Sequence, residues 1–243
     1  MPLEPEKLLL RLSGRGEKWR RLAGYREVEC RHGRTVSAVR YSFPADCPAA
    51  QSLRIAFFSD LHYSDADDLG SVIAEAIAHI EAFEPHYLVC GGDLAGYATD
   101  LGELPSVLRE FRHLAPTRLA IPGNWEAQKG WLAGDYWRKL YADNGFCWLE
   151  NEFYGDDRLV FYGAADPASG RIVTPWWPRD NRQRILLAHR PDTVIALDSL
   201  KTPEALPPLS LCGHTHGGQV RLPLIGPLAS ASTYGRFFDY GLF

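Results

Sequence analysis

Five short polar clusters in this 243-residue chain carry side chains that bind metals. They are Asp60-Leu61-His62, Gly91-Gly92-Asp93, Gly123-Asn124, Ala188-His189 and Gly213-His214-Thr215-His216. Together they offer two carboxylates, one carboxamide oxygen and four imidazoles, and the chemistry these groups share is metal ligation. Each cluster alone says little, because a D-x-H triplet arises by chance and a lone histidine more often serves packing. The ordered set says more, since no apolar core requires that combination. His214 and His216 would point to opposite faces of an extended segment, which suits ligands serving two neighbouring cations.

Ligands so far apart in sequence need elements that deliver them to one place. Leu53–Ser59, Tyr87–Cys90, Arg118–Ile121, Phe146–Leu149, Leu159–Gly163, Arg184–Ala188 and Leu209–Cys212 are short apolar runs predicted as strands, several of them buried on both faces. Between them, Asp68–Phe83 places Leu69, Val72, Ile73, Ala76, Ile77 and Ile80 at helical spacing. Leu101–Leu114 and Trp131–Asn144 read as further helices, and another begins at Asp192, taken as its N-cap. Pro175–Pro178 and 203–208 read as loops. The fold class is α/β. In open α/β sheets ligands bind beyond the carboxyl ends of strands, and each polar cluster follows a predicted strand. Glycines within three of them permit tight turns and close backbone approach.

Composition excludes other classes. Hydrophobic residues at 46% and charged residues at 23% are ordinary globular values. A net charge of −4 and a pI of about 6.1 argue against a dedicated nucleic-acid binder. The five cysteines are odd in number and form no CxxC pair, as expected in a reducing compartment without a thiolate metal site. No apolar run reaches the roughly 18 residues of a membrane span, and the leucines near the N-terminus are too soon interrupted by charge for a signal peptide. The expected location is cytoplasmic.

The first 40 residues carry ten Lys/Arg against five Asp/Glu. Within residues 6–22, Leu8, Leu9, Leu12, Trp19 and Leu22 alternate with Lys7, Arg11, Arg15, Lys18, Arg20 and Arg21. Two readings stand: an interfacial helix on anionic membrane at its inner face, or a solvated arm packing a few leucines on the core. Gly14 and Gly16 each weaken a helix by about 1 kcal/mol relative to Ala. The expected organisation is a basic arm with leading strands over 1–50 and one domain over 51–243.

The order D-x-H, GGD, GN, H, GHTH resembles the signature of calcineurin-like metallophosphoesterases. The tail from Gly213 to Leu228 (GHTHGGQVRLPLIGPL) and the segment Ala188-His-Arg-Pro-Asp192 are similar to a bacterial, membrane-associated, phosphodiesterase-like branch. The resemblance runs from about Leu53 to Tyr240. It implies a four-layer sandwich of two central mixed β-sheets flanked by helices, around a dinuclear metal centre. Asp60, His62, Asp93 and His216 match the ligands of the first metal; Asp93 bridges to the second, which Asn124, His189 and His214 complete. The catalytic set so implied is Asp60, Asp93, Asn124, His189 and His214. Two cations about 3.5–4 Å apart share an anionic ligand, clamp a phosphate and acidify a bridging water, whose hydroxide attacks phosphorus in line with the leaving oxygen. Mn²⁺ is favoured by family habit, and Fe or Zn²⁺ would also fit this donor set. Arg190, beside a ligand, either balances phosphate charge or makes a salt bridge. The substrate expected is a phosphorylated small molecule or lipid, and oligomeric state is left open.

Two departures matter. The block G-N-H-[DE] reads Gly123-Asn124-Trp125-Glu126, and indole N–H donates a hydrogen bond but is no proton donor near neutral pH. A pyrophosphate, whose departing group is a phosphate, needs protonation least. Hydrolases of the same superfamily that cut UDP-diacylglucosamine also depart from His there. Trp125 could equally lid the site by packing. The chain also stops at Phe243, where relatives usually continue, so either the sequence is truncated or a sheet edge is covered otherwise. The reading is a two-metal hydrolase of phosphodiester or pyrophosphate bonds; the alternatives are a broad phosphomonoesterase and a metal-binding module without catalysis. Trp131, Trp137, Trp148, Trp176 and Trp177 form either an apolar rim for a lipid or core.

Overall fold

The computed structural model describes residues 26–32, 36–42, 53–64, 69–96, 99–128, 135–168, 172–199, 207, 209–216, 221–222, 226–227 and 232. A hairpin of β1 (Arg26–His32) and β2 (Ser37–Ser42) precedes two four-stranded sheets. The first contains β3 (Ile55–Phe58), β4 (Tyr87–Cys90), β5 (Thr117–Ala120) and β6 (Cys147–Trp148), all parallel and in that order. The second has the order β10-β9-β8-β7, from β7 (Glu152–Gly155), β8 (Leu159–Gly163), β9 (Gln183–Ala188) and β10 (Leu209–Cys212). Only the β7–β8 pair of this sheet is antiparallel. A short pair, β11 (Arg221–Leu222) and β12 (Gly226–Pro227), follows.

The two-residue period of the strands assigns the layers. Leu88, Cys90, Ala120 and Trp148 face a cluster from α1 (Gly70–Phe83), α2 (Leu104–Phe111) and α4 (Tyr136–Asp143), including Ile73, Leu108, Phe111 and Tyr141. Their strand neighbours Tyr87, Val89, Leu119 and Ile121 face the other way, onto Leu159, Phe161, Ile185 and Leu187 of the second sheet. The second sheet's outer face sets Val160, Tyr162, Leu186 and Ala188 against Trp177 and Leu197 of α5 (Pro191–Ser199). The result is helix, sheet, sheet, helix: the expected four-layer sandwich. A one-residue slip in any central strand would exchange its two faces, so the register is fixed by both cores. Tyr87, fully buried between the sheets, donates its hydroxyl to Asp156 in the β7–β8 turn and ties the two sheets together.

Local signals explain the element ends. Glu84 closes α1 in a left-handed conformation (φ 49°), its N–H donating to the Ile80 and Glu81 carbonyls, with Pro85 next. Pro105 sits in the first turn of α2 and Pro191 opens α5, where a missing N–H costs nothing. Asp192 therefore lies inside the first turn of α5 rather than at its N-cap. Three predicted helices shorten: α1 begins at Gly70, α2 spans Leu104–Phe111 rather than 101–114, and α4 begins at Tyr136. The strand expected at 118–121 is displaced to Thr117–Ala120. Strand β7 and the five-residue α3 (Asn124–Gln128) were not expected. Trp137, Trp148 and Trp177 are core, whereas Trp176 is 84% exposed; Trp131, the arm 6–22 and the C-terminal residues 233–243 lie outside the described residues. No helix among the described residues is long and apolar enough to cross a membrane.

Candidate metal centre

Parallel strands put all their carboxyl ends on one edge, and the polar clusters meet there. Asp60 follows β3, Asp93 follows β4, Asn124 follows β5, His189 follows β9 and His214 and His216 follow β10. Their ligating atoms form two groups, Asp60/His62/His216 and Asp93/His189/His214, each within 4.8 Å. Asn124 joins the second, its Oδ1 lying 3.2 Å from His189 Nε2. All seven residues singled out as ligands thus converge. The groups adjoin through Asp93, whose Oδ2 lies 3.2 Å from His189 Nε2 and 3.7 Å from His62 Nε2. The His62 and His216 side chains are 24% and 26% exposed, while His189 and Asp93 are buried, so the first group meets solvent and the second lies inside.

The backbone is strained where these side chains leave it. Of seven non-glycine residues with positive φ among the described residues, five are Asp60, His62, Asp93, His214 and His216. Each such conformation costs about 1–3 kcal/mol and persists only when its surroundings over-determine it. Those surroundings are visible. Asp60 N–H donates to the Gly92 carbonyl at 3.0 Å and His62 N–H to the Asp93 carbonyl at 2.9 Å, lacing the first loop to the second. Buried Glu126 accepts from Asp93, Leu94 and Ala95 N–H and from Gly123 N–H at 2.8–3.3 Å, stapling the second loop to the third. A Cβ on Gly123 would collide with the Asp93 carboxylate, and one on Gly213 with Ser59 and Asp60, so the loops approach closely only as glycine.

The hydrogen bonds also point the ligands. His189 Nδ1 lies 2.8 Å from the Gly91 carbonyl, which places a proton on Nδ1 and turns Nε2 to the centre. Asp60 Oδ2 accepts from Ser59 and from His214 N–H, whereas Asp60 Oδ1 is buried without a hydrogen-bond partner. A buried carboxylate oxygen left so is costly unless a cation completes it, and the imidazole, carboxylate and amide donors around it fit divalent metals.

Electrostatics follow the same division. Burial works against a charge on His189, but the hydrogen bond and negative charge of Asp93 prevail and raise its pKa to about 9. Asp93 is pulled below its ordinary value because His189 and the Trp125 N–H outweigh its desolvation. Burial, aided by the neighbouring histidines, lowers His62 and His214; Arg190 adds to the effect on His214. Glu126 is pushed up by burial and by the Asp93 charge.

The remaining expected residues flank the centre. Trp125 sets its ring edge-on to His62, centroids 5.8 Å apart. Arg190 donates from Nε to Asp166 Oδ2 at 2.8 Å, a salt bridge with a fully buried carboxylate. Ser59, Glu126 and Asp166 were not singled out beforehand. Glu126 carried a signal, an acid three residues after a glycine at a strand end, but only Gly123 among its partners is local and the other three lie 31–33 residues away.

A family model described as calcineurin-like phosphoesterase matches residues 53–218. Phosphodiesterase YaeI of Escherichia coli (strain K12) is 31% identical over 183 residues, 73% of this chain and 65% of that protein. The uncharacterized metallophosphoesterase YkuE of Bacillus subtilis (strain 168) is 28% identical over 213 residues, 78% of this chain and 67% of that protein. The chain thus spans about two thirds of the length of these relatives, slightly less for the first. The crystal structure of phosphopantetheinyl hydrolase from Mycobacterium tuberculosis is 14% identical, covers 63% of this chain and 73% of its own, and superposes with a TM-score of 0.36, too low to carry an argument. The family match takes in all seven converging residues and most of the chain, which belongs to the calcineurin-like phosphoesterase family.

Proposed function

We propose that this protein is a metal-dependent phosphoric ester hydrolase that cleaves a phosphodiester or pyrophosphate bond at the edge shared by its two sheets. The observation that carries the reading is the position of Asp93 Oδ2 between the two groups, 3.2 Å from His189 and 3.7 Å from His62, where one carboxylate can serve both. Asp60, His62 and His216 would hold one divalent cation and Asn124, His189 and His214 the other, with Mn²⁺ favoured over Fe or Zn²⁺. Two such cations supply charge to polarise the phosphoryl oxygens and acidify a water.

The chain's own residues do the rest. Glu126 and the glycine loops hold the ligands in their strained geometry, so little reorganisation is left for the reaction. The Gly91 carbonyl fixes His189 by its Nδ1 edge and leaves Nε2 facing Asp93 Oδ2, where both would reach the same cation. Arg190 supplies a fixed positive charge for substrate oxygens. Trp125 offers no proton to the leaving oxygen, which favours substrates whose leaving group is stable as an anion. The name of the Escherichia coli relative supports a diester, and the substrate class is a nucleotide- or lipid-linked phosphate. Residues 51–243 would form the catalytic unit, with the basic arm 6–22 making peripheral contact with anionic membrane.

The test is hydrolysis of an aryl phosphodiester and an aryl phosphomonoester by protein stripped of metal and reloaded with Mn²⁺. Metal-dependent turnover with the diester preferred supports the reading. Preference for the monoester makes the protein a phosphomonoesterase, and metal binding without turnover of either leaves a binding module.

A further inference from the structure

Asp166 and Arg190 stand at the carboxyl ends of the adjoining strands β8 and β9. The Asp166 side chain is 0% exposed, and its Oδ2 accepts from Arg190 Nε at 2.8 Å while Oδ1 accepts from Ala168 N–H at 2.8 Å. The Arg190 side chain is 25% exposed. Its two terminal nitrogens carry no hydrogen bond to another described residue. Fixing a guanidinium by its Nε edge orients the whole plane and turns the terminal N–H groups outward, the fork that matches phosphate oxygens. Arg190 directly follows His189, and Gly213 N–H donates to the His189 carbonyl at 2.9 Å, so Arg190 and His214 are the next residues on adjoining chains. The fixed cation is therefore at the rim of the metal centre.

We propose that Asp166 is a positioning residue that holds Arg190 as the counter-charge for a second phosphate, so that the site prefers pyrophosphate-linked substrates over simple phosphodiesters. This rests on the hydrolase reading above and narrows its substrate class. Water would add its oxygen to one phosphorus, and the bridging P–O bond would break with its electron pair kept by the departing phosphate. The two protons of the water pass to the product phosphates and solvent. Arg190 would meet the charge that grows on the departing phosphate, at a site where Trp125 supplies no proton.

The test uses the full Mn²⁺-loaded chain and its Arg190→Ala, Asp166→Asn and doubly substituted variants. One readout is the ratio of kcat/KM for a nucleoside diphosphate sugar to that for bis(p-nitrophenyl) phosphate. The other needs no turnover: the ratio of affinities for methylenediphosphonate and methylphosphonate, in which chelation of free metal cancels between variants. Loss of a charge-assisted contact lowers such a ratio about 10- to 100-fold. Arg190→Ala and Asp166→Asn should each lower both ratios, and the double variant no further, because the two act as one unit. A merely structural Asp166 would depress both substrates together and leave the ratios unchanged, which overturns the proposal. So does an unchanged ratio in Arg190→Ala, a variant at a partly exposed position that decides the matter even if Asp166→Asn fails to fold. Wild-type protein that hydrolyses neither ester yet prefers the diphosphonate through Arg190 would defeat the hydrolase reading and leave the second-phosphate site standing.

Discussion

The backbone N–H of Trp125 donates a 2.8 Å hydrogen bond to Oδ1 of Asp93, which leaves Oδ2 of the same carboxylate facing His189 and His62. The residue that departs from the family pattern therefore helps to aim the carboxylate most central to the site, and does so with its main chain. Any residue but proline at 125 keeps that bond, so metal binding should tolerate the tryptophan.

Asp93→Ala removes the carboxylate whose Oδ2 lies 3.2 Å from His189 and 3.7 Å from His62, between the two groups. Bound metal should fall below one ion per chain, and aryl-phosphodiester hydrolysis should fall by more than the roughly 10- to 100-fold typical of outer-shell partners. Elemental analysis of the purified variant decides it, and two ions retained per chain would remove Asp93 from the bridging position.

Glu126→Gln tests the staple between the second and third loops. The carboxylate accepts from four backbone N–H groups, two at each oxygen. An amide nitrogen at either position cannot accept, so two buried donors lose their partner at about 1–3 kcal/mol each. Thermal unfolding should shift down by roughly 4–24 °C for a chain of this size, and Mn²⁺ affinity should weaken because Asp93 loses its support. Unchanged melting with unchanged affinity would mean that the loops hold without it.

The ligands were legible because each is local: an acid, amide or imidazole at the end of an apolar run, in an order that few other sites share. What joins them was not. Three of the four donors to Glu126 lie 31–33 positions away, and Asp166 meets Arg190 across 24, so no short window of sequence holds either pairing. Strand β7 (EFYG) has only one half-buried residue and exists by pairing with β8. Helix α3 is five residues long, held by Glu126 and by Ala127 N–H donating to the Gly123 carbonyl. The strained φ values at five ligands are a consequence of tertiary lacing, which propensity does not foretell.

Tyr87→Phe should expose a pH dependence outside the candidate metal centre. Burial pushes the Asp156 carboxyl up, but the Tyr87 hydroxyl and the Arg158 and Leu159 N–H groups prevail and hold it below its ordinary value. A depressed carboxyl stabilises the fold above its unfolded pKa of about 3.9, and that contribution is lost as pH falls through the folded value. Removing the hydroxyl should cost about 1.5–3 kcal/mol at pH 7, and the cost should shrink as pH drops below 4. Urea midpoints of both proteins from pH 7 to 3 measure it. A penalty constant over that range would show that the carboxylate charge plays no part.

Deleting residues 6–22 should abolish sedimentation with anionic vesicles and leave aryl-phosphodiester hydrolysis intact. At about 1 kcal/mol per surface cation, binding by the full chain should also weaken steeply with salt. Equal sedimentation of both proteins would mean that the arm is only solvated.

Trp125→His is the sharpest test of how leaving groups depart. The indole stands edge-on to His62, so an imidazole at 125 would be placed beside the same metal group. Imidazolium can give a proton where indole cannot. Alkyl phosphodiesters, which leave as basic alkoxides, should gain rate by up to about 10²–10⁴-fold, the range of general acid catalysis. Nitrophenyl esters and pyrophosphates, whose leaving groups are already stable as anions, should change little. A plot of log rate against leaving-group pKa for both proteins should therefore be shallower for the His variant. Parallel lines would show that Trp125 acts through packing or substrate shape, and the preference for a phosphate leaving group would then rest on Arg190 alone.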